Sequence, residues 1–138
     1  YVSANRPFIL IRDNKNPFFH NGNQIEASIS NDKFSIYLLK GDMHSVGRES
    51  HTFNFRTHVI ELYENDIIYL FTDGITDQIN ECGKKLSKKK LLEFLLGIQN
   101  ETLKNQKASL YNYIDSWKKE APQTDDILII ALQYKNAQ

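Results

Sequence analysis

Every residue from Ile67 to Phe71 is apolar, and most are β-branched or aromatic. A run with no polar position reads as a strand covered on both faces, because a half-covered strand would alternate. A turn at Glu64-Asn65 precedes it and Asp73-Gly74 stops it. A second continuous run, Ile127 to Leu132, is opened by Asp125-Asp126 and predicts a last strand reaching Tyr134. Thr52 to Ile60 alternates instead, with Phe53, Phe55, Thr57 and Val59 opposite Thr52, Asn54, Arg56 and His58. That is the period of a strand with one wet face, so it is expected near an edge, in a hairpin with the Ile67 strand. Phe8 to Ile11, after the break at Asn5-Arg6-Pro7, and Phe34 to Leu39 predict two more strands. Between them the signals are weaker: a polar turn at Asp13 to Asn16, a turn at Asn21-Gly22-Asn23, and a short strand over Ile25 to Ile29. The segment Gly41 to Gly47, GDMHSVG, reads as a loop with a glycine at each end.

Past Asp77 the period lengthens to that of a helix. Lys88 to Gln99 carries Leu91, Leu92, Leu95, Leu96 and Ile98, with Ser87 as its predicted cap. Thr102 to Lys119 places Leu103, Leu110, Ile114 and Trp117 on one stripe, and Pro122 ends it. Strands, two helices and a final strand define an α+β fold: largely antiparallel β-sheets with packed helices.

Composition narrows the options. The chain has 138 residues, enough for one domain or a large part of one. It carries 17 basic and 17 acidic residues, so no overall charge draws it to nucleic acid or an anionic membrane. The lysines at 84, 85, 88, 89 and 90 read as a solvated helix start, since no aromatic or glycine-rich pattern accompanies them. One cysteine, Cys82, excludes an internal disulfide and agrees with a reducing compartment. No apolar run is long enough to span a membrane. The opening Tyr1-Val2 resembles a strand already under way, which suggests a piece of a longer protein.

The acids at the ends of the two apolar runs are the candidate chemistry. Asp73 ends one strand and Asp125 precedes the other, so antiparallel neighbours would bring them together. Taken singly, each is more often an ordinary turn or a solvated cap. As a pair they offer the carboxylate oxygens that a hard cation such as magnesium or manganese prefers. His20, His44, His51 and His58 have no paired spacing and read as surface residues. A dehalogenase-type site is set aside, because position 71, where its nucleophilic aspartate would stand, is Phe.

Four motifs in order, SANRPFILIR, GDMHSVG, FTDGITDQIN and TDDILIIALQ, resemble the C-terminal half of bacterial metal-dependent phosphatases, the PPM or protein phosphatase 2C-like type of the SpoIIE and RsbU kind. The resemblance spans nearly the whole chain. It implies sheets packed between helices and two Mn²⁺ or Mg²⁺ ions holding a water that attacks phosphoserine or phosphothreonine. It implies that Asp73 and Asp125 are two metal ligands, that Gly74 shapes the turn and that Asp126 stands beside the second ligand. The implied substrate is a phosphorylated regulatory protein, such as an anti-sigma-factor antagonist. The implied setting is the cytoplasm, in a parent protein that can be membrane-attached. Ser45 stands where the family has proline, and Asn14 to Asn31 is longer than its usual connection. Nothing matches the family's bridging aspartate and Gly-His-Gly-like segment, which belong to the N-terminal half. Residues 1–138 are therefore expected to be the C-terminal portion of one phosphatase domain, inactive alone and prone to self-association through uncovered sheet. The alternative is a non-catalytic module that binds a phosphoprotein or partner.

Overall fold

The computed structural model describes residues 6–42 and 55–136. These form β1 (Phe8–Asp13), β2 (Phe19–His20), β3 (Asn23–Gln24), β4 (Ile29–Ser30), β5 (Phe34–Leu39), β6 (Ile67–Phe71), α1 (Gly74–Asp77), α2 (Lys88–Gly97), α3 (Leu103–Lys118) and β7 (Ile129–Gln133). Five strands make one sheet in the order β4-β5-β1-β6-β7, and β2 and β3 make a separate hairpin. Every pairing is antiparallel, as the α+β expectation requires. No helix among the described residues is long and apolar enough to cross a membrane.

The core lies on both sides of β1, whose residues from Phe8 to Arg12 are all buried. On one face Ile9 and Ile11 join Ile36, Ile67 and Tyr69 beneath Leu91, Leu95 and Leu110 of the two long helices. On the other, Phe8 and Leu10 join Tyr37, Leu39 and Phe18, with Ile25, Ile60 and Leu62 closing over them. Each large side chain so covered contributes roughly 1.5–3 kcal/mol.

Three expectations fail on particular residues. Residues 55–60 have no regular structure, and Thr52 to Asn54 lie outside the described residues, so no hairpin with β6 is seen. Both edges of β6 are already occupied, Ile68 pairing with Leu10 on one side and Leu132 on the other. Of the segment's apolar residues Ile60 packs under the second face instead, whereas Val59 is 82% exposed. Ile25 and Ala27 do the same, leaving only Ile29–Ser30 to pair as β4. Nor is β6 covered on both faces: its helix-facing Ile67 and Tyr69 are buried, whereas Leu70 is 41% exposed. Across from it on β7, Ile130 is 42% exposed, and Leu132 beside it 54%. The covering segments stop short of this end of the sheet. Tyr1 to Asn5 and the loop positions Met43 to Gly47 also lie outside the described residues.

Local signals explain the ends of the elements. Asn21 and Gly22 have φ of 51° and 78°, the pair of positive angles that a two-residue hairpin turn demands. Thr102 caps α3, its side chain accepting the Asn105 N–H at 3.3 Å. Ser87 does not cap α2 in this way. Its backbone sits at φ 69°, and its N–H donates to the Thr76 carbonyl at 2.9 Å, so this residue anchors the helix start to α1. Lys90 offsets the unfavourable charge of that start by lying 3.9 Å over the Trp117 ring.

Two polar clusters are built into this core. Arg12 and Asp66 are each 2% exposed and meet side on: Nε lies 3.1 Å from both carboxylate oxygens and Nη2 2.6 Å from Oδ2. The remaining donors of Arg12 reach the carbonyls of Glu61 and Pro17, and Tyr63 both donates its N–H to Asp66 and lays its ring against the guanidinium. Under the helices, Tyr69 donates its hydroxyl to Gln106 Oε1 and accepts from Gln99 Nε2. Burial raises the Tyr69 phenol above its ordinary value. The folded state thus resists tyrosinate formation, so this stability is complete below the unfolded tyrosine pKa of about 10 and is lost as pH rises beyond it. Tyr69→Phe should flatten the alkaline fall in thermal stability while costing about 1–3 kcal/mol at neutral pH, since two amides lose a partner. Tyr113, also raised by burial, keeps part of the alkaline slope. An unchanged melting profile above pH ~10 in the variant would refute the assignment.

Candidate metal centre

Asp73 follows β6 by two residues, and Asp125 and Asp126 precede β7, so the antiparallel pairing of these strands sets the acids at one end of the sheet. Thr72 fastens the junction. Its hydroxyl donates to the Asp126 carbonyl at 2.7 Å and accepts the Leu128 N–H at 2.9 Å, while its own N–H donates to the Leu128 carbonyl at 3.0 Å. Gly74 brings the two backbones closer than any other residue could: a Cβ there would lie 2.4 Å from the Asp126 carbonyl oxygen and 3.3 Å from the Asp125 carbonyl carbon. The cradle exists because the side chain is missing.

The turn after β6 fixes the direction of Asp73. Its carbonyl accepts the Asp77 N–H at 2.9 Å and the Thr76 hydroxyl at 3.0 Å, closing α1, and its carboxylate makes no cap bond. That carboxylate projects half-exposed and meets Arg6 Nη1 at 2.7 Å. The Arg6 contact lowers the Asp73 carboxyl below its ordinary pKa, so the group is an anion already paired with a cation, and a metal ion would have to take the place of the arginine. Asp125 and Asp126 are exposed, and Asp125 Oδ1 accepts the Asp126 N–H at 2.7 Å. Asp77 points elsewhere, pairing with Lys85 at 3.1 Å.

The donors gathered here are carboxylate and carbonyl oxygens, the set that suits manganese or magnesium and not zinc. Among the described residues no three acids, histidines or cysteines converge, so they do not by themselves assemble a metal site.

One contributor escapes sequence reasoning. Gln78 is wholly buried, its Nε2 donating at 2.9 Å to the carbonyls of Ile79 and Pro122, while its own carbonyl accepts from Trp117 Nε1 at 3.1 Å. It thereby ties the exit of α1 to the loop that leads into Asp125. A glutamine among polar neighbours gives no such warning. The histidines read as surface residues also differ: His20 and His58 are half-buried and in contact, and His44 and His51 lie outside the described residues.

An antiparallel sheet with helices on one face and acids where two neighbouring strands meet has the architecture of a protein phosphatase 2C-type domain. The "SiaA-PP2C domain of Pseudomonas aeruginosa" matches with a TM-score of 0.68 and 20% identity, over 95% of this chain and 44% of that one. At that identity the likeness concerns the fold, and this chain spans less than half of that relative. No curated protein matches the sequence. Residues 4–135 match the family Stage II sporulation protein E (SpoIIE), and the chain belongs to that family.

Proposed function

We propose that this chain is the C-terminal part of a metal-dependent serine/threonine phosphatase domain that acts on a phosphorylated regulatory protein in the cytoplasm. The observation that carries the reading is the close approach of Gly74 to the Asp125-Asp126 backbone, which sets Asp73 beside the start of β7. Asp73 and Asp125 would hold manganese or magnesium, Gly74 would keep the two strands near enough for both to do so, and Asp126 would stand beside the second ligand. Two divalent ions bound there would acidify water and neutralise charge on the phosphate. The chain's own part is positional: the Thr72 bonds set the strand ends, α1 orients Asp73, and Gln78 steadies the approach to Asp125.

The test is made in the longer protein of which this chain is proposed to be a part. Asp73→Asn removes a charged ligand and is expected to lower manganese-dependent phosphate release from a phosphoserine substrate by orders of magnitude. Its melting temperature should hold, since the Asp73 carboxylate makes only a half-exposed ion pair with Arg6 that contributes little, and its backbone bonds survive the substitution. Asp77→Asn, which touches only Lys85, should keep most of the activity. Near-normal turnover in Asp73→Asn, or unfolding of that variant, contradicts the ligand role. Absence of turnover in the unaltered parent favours the phosphoprotein-binding module.

The same reading makes a prediction about the chain by itself. Leu70, Leu128, Ile130 and Leu132 form an exposed apolar strip along β6 and β7, and β7 is an edge of the sheet. Such surfaces seek partners, so the isolated chain is expected to self-associate as concentration rises. Leu132→Lys should shift the distribution toward monomer in analytical ultracentrifugation. A monomer at every concentration in the unaltered chain removes the argument.

A further inference from the structure

His20 and His58 stand 38 residues apart and meet on the face of the sheet away from the helices. His20 ends β2, where it pairs with Asn23 across the hairpin, and its ring is stacked against the wholly buried Phe18 with centroids 6.5 Å apart and planes 11° from parallel. His58 comes from the irregular segment after residue 54. His58 Nδ1 and His20 Nε2 are 3.2 Å apart, and the ring centroids are 5.0 Å apart with an interplanar angle of 42°.

Two uses of the pair can be compared with these distances. A straight N–H···N bond at this separation would hold the centroids roughly 5.5 Å apart, the ring radii adding to the bond. Two imidazoles on one tetrahedral ion, each with a metal–nitrogen distance of about 2.0–2.1 Å, would have nitrogens about 3.3–3.4 Å and centroids about 5.2 Å apart. The observed rings are bent toward one another, and their separations lie within about 0.2 Å of the second arrangement.

We propose that His20 Nε2 and His58 Nδ1 form a two-nitrogen site for a borderline divalent transition-metal ion of the zinc or copper class, separate from the acid pair at Asp73. Charge supports this choice of metal. Among the described residues Asp42 places a carboxylate near His58, but it is already committed to Arg56, accepting its backbone N–H at 2.8 Å and its Nε at 3.1 Å. With that carboxylate paired to its own arginine, the donors that the described residues offer here are imidazole nitrogens. Magnesium and manganese gain little from such a site, whereas zinc and copper bind imidazole strongly. Among the described residues no third histidine, cysteine or acid converges with the pair, so water or a small exogenous ligand completes the coordination.

The experiment is a calorimetric titration of the 138-residue chain with Zn²⁺ at neutral pH, repeated with Mn²⁺, and an electron paramagnetic resonance spectrum with Cu²⁺. A single Zn²⁺ per chain is expected, with no comparable Mn²⁺ heat. His20→Gln and His58→Gln should each weaken Zn²⁺ binding by about tenfold or more. The double variant His44→Ala/His51→Ala should retain binding, and so should Asp73→Asn, which separates this site from the phosphatase reading. Cu²⁺ bound to the unaltered chain should show two imidazole nitrogens, and each glutamine variant one. Circular dichroism establishes that the variants fold. If they do not, the Cu²⁺ spectrum of the His44→Ala/His51→Ala chain decides: two nitrogens support the site and fewer overturn it. Undiminished Zn²⁺ affinity in folded His20→Gln or His58→Gln, or no Zn²⁺ binding at all, shows that the rings share only a proton.

Discussion

Gly74→Ala is expected to lower the stability of the chain by about 1–2 kcal/mol, although alanine is the better helix former. The substitution gains up to about 1 kcal/mol from helix propensity at the start of α1. Against this stands a Cβ placed 2.4 Å from the Asp126 carbonyl oxygen, a backbone atom that cannot swing aside. Forcing such an overlap typically costs about 1–3 kcal/mol or more, and here the strand end must move with the bond it accepts from Thr72. Gly97→Ala is the control. Nothing lies within 4 Å of a Cβ at that position, so propensity acts alone and stability should rise. Urea midpoints of the two variants should therefore move in opposite directions. A rise for both would mean that the approach of β6 to β7 is looser than described. If the proposed phosphatase reading holds, displacement of Asp125 by Gly74→Ala should also cost manganese-dependent turnover in the longer protein proposed above.

The larger loss is expected at the other end of the same strand. Asp66→Ala leaves the Arg12 guanidinium buried with no counter-charge, and breaking a buried pair by removing one partner costs about 3–5 kcal/mol. That is a large share of the stability of a small domain, about 5–15 kcal/mol, so the variant should be largely unfolded at modest urea concentrations. Arg12→Met/Asp66→Leu, which removes both charges, should recover much of it, because the pair's own attraction largely offsets its desolvation. A double-mutant cycle from urea denaturation measures the difference. If Asp66→Ala melts within ~1 kcal/mol of the parent, solvent reaches this ion pair and the closed cluster around it is wrong.

The sequence carried some of this plainly. The alternating and continuous apolar runs located β1, β5, β6 and β7, and the leucine stripes located α2 and α3 to within two residues, because burial against a flat layer imposes those periods. Asp73-Gly74 and Asp125-Asp126 were legible as a pair because antiparallel neighbours exchange ends. Failure came where a period had more than one cause. Thr52 to Ile60 alternates like a strand, yet Ile60 packs into the second core without joining a ladder, and no local pattern separates covering from pairing. The contacts between distant residues were hidden as well. Nothing near Arg12 announces Asp66, and nothing near His20 announces His58, since each pairing is made by the fold across dozens of residues.

The Thr72 hydroxyl and the Leu128 amide are joined across 56 residues, and α1, α2 and α3 lie between them. Helices need only near neighbours and form early, whereas a pairing of this range waits until the intervening chain has collapsed. During synthesis Asp73 emerges well before Asp125, and until β7 docks it has only half of its carboxylate pair. Whatever the pair does is therefore withheld from an unfinished chain. A polypeptide interrupted before Ile129 keeps the residues of all three helices and of four of the five strands of the sheet, but without β7 the two acids are never brought together.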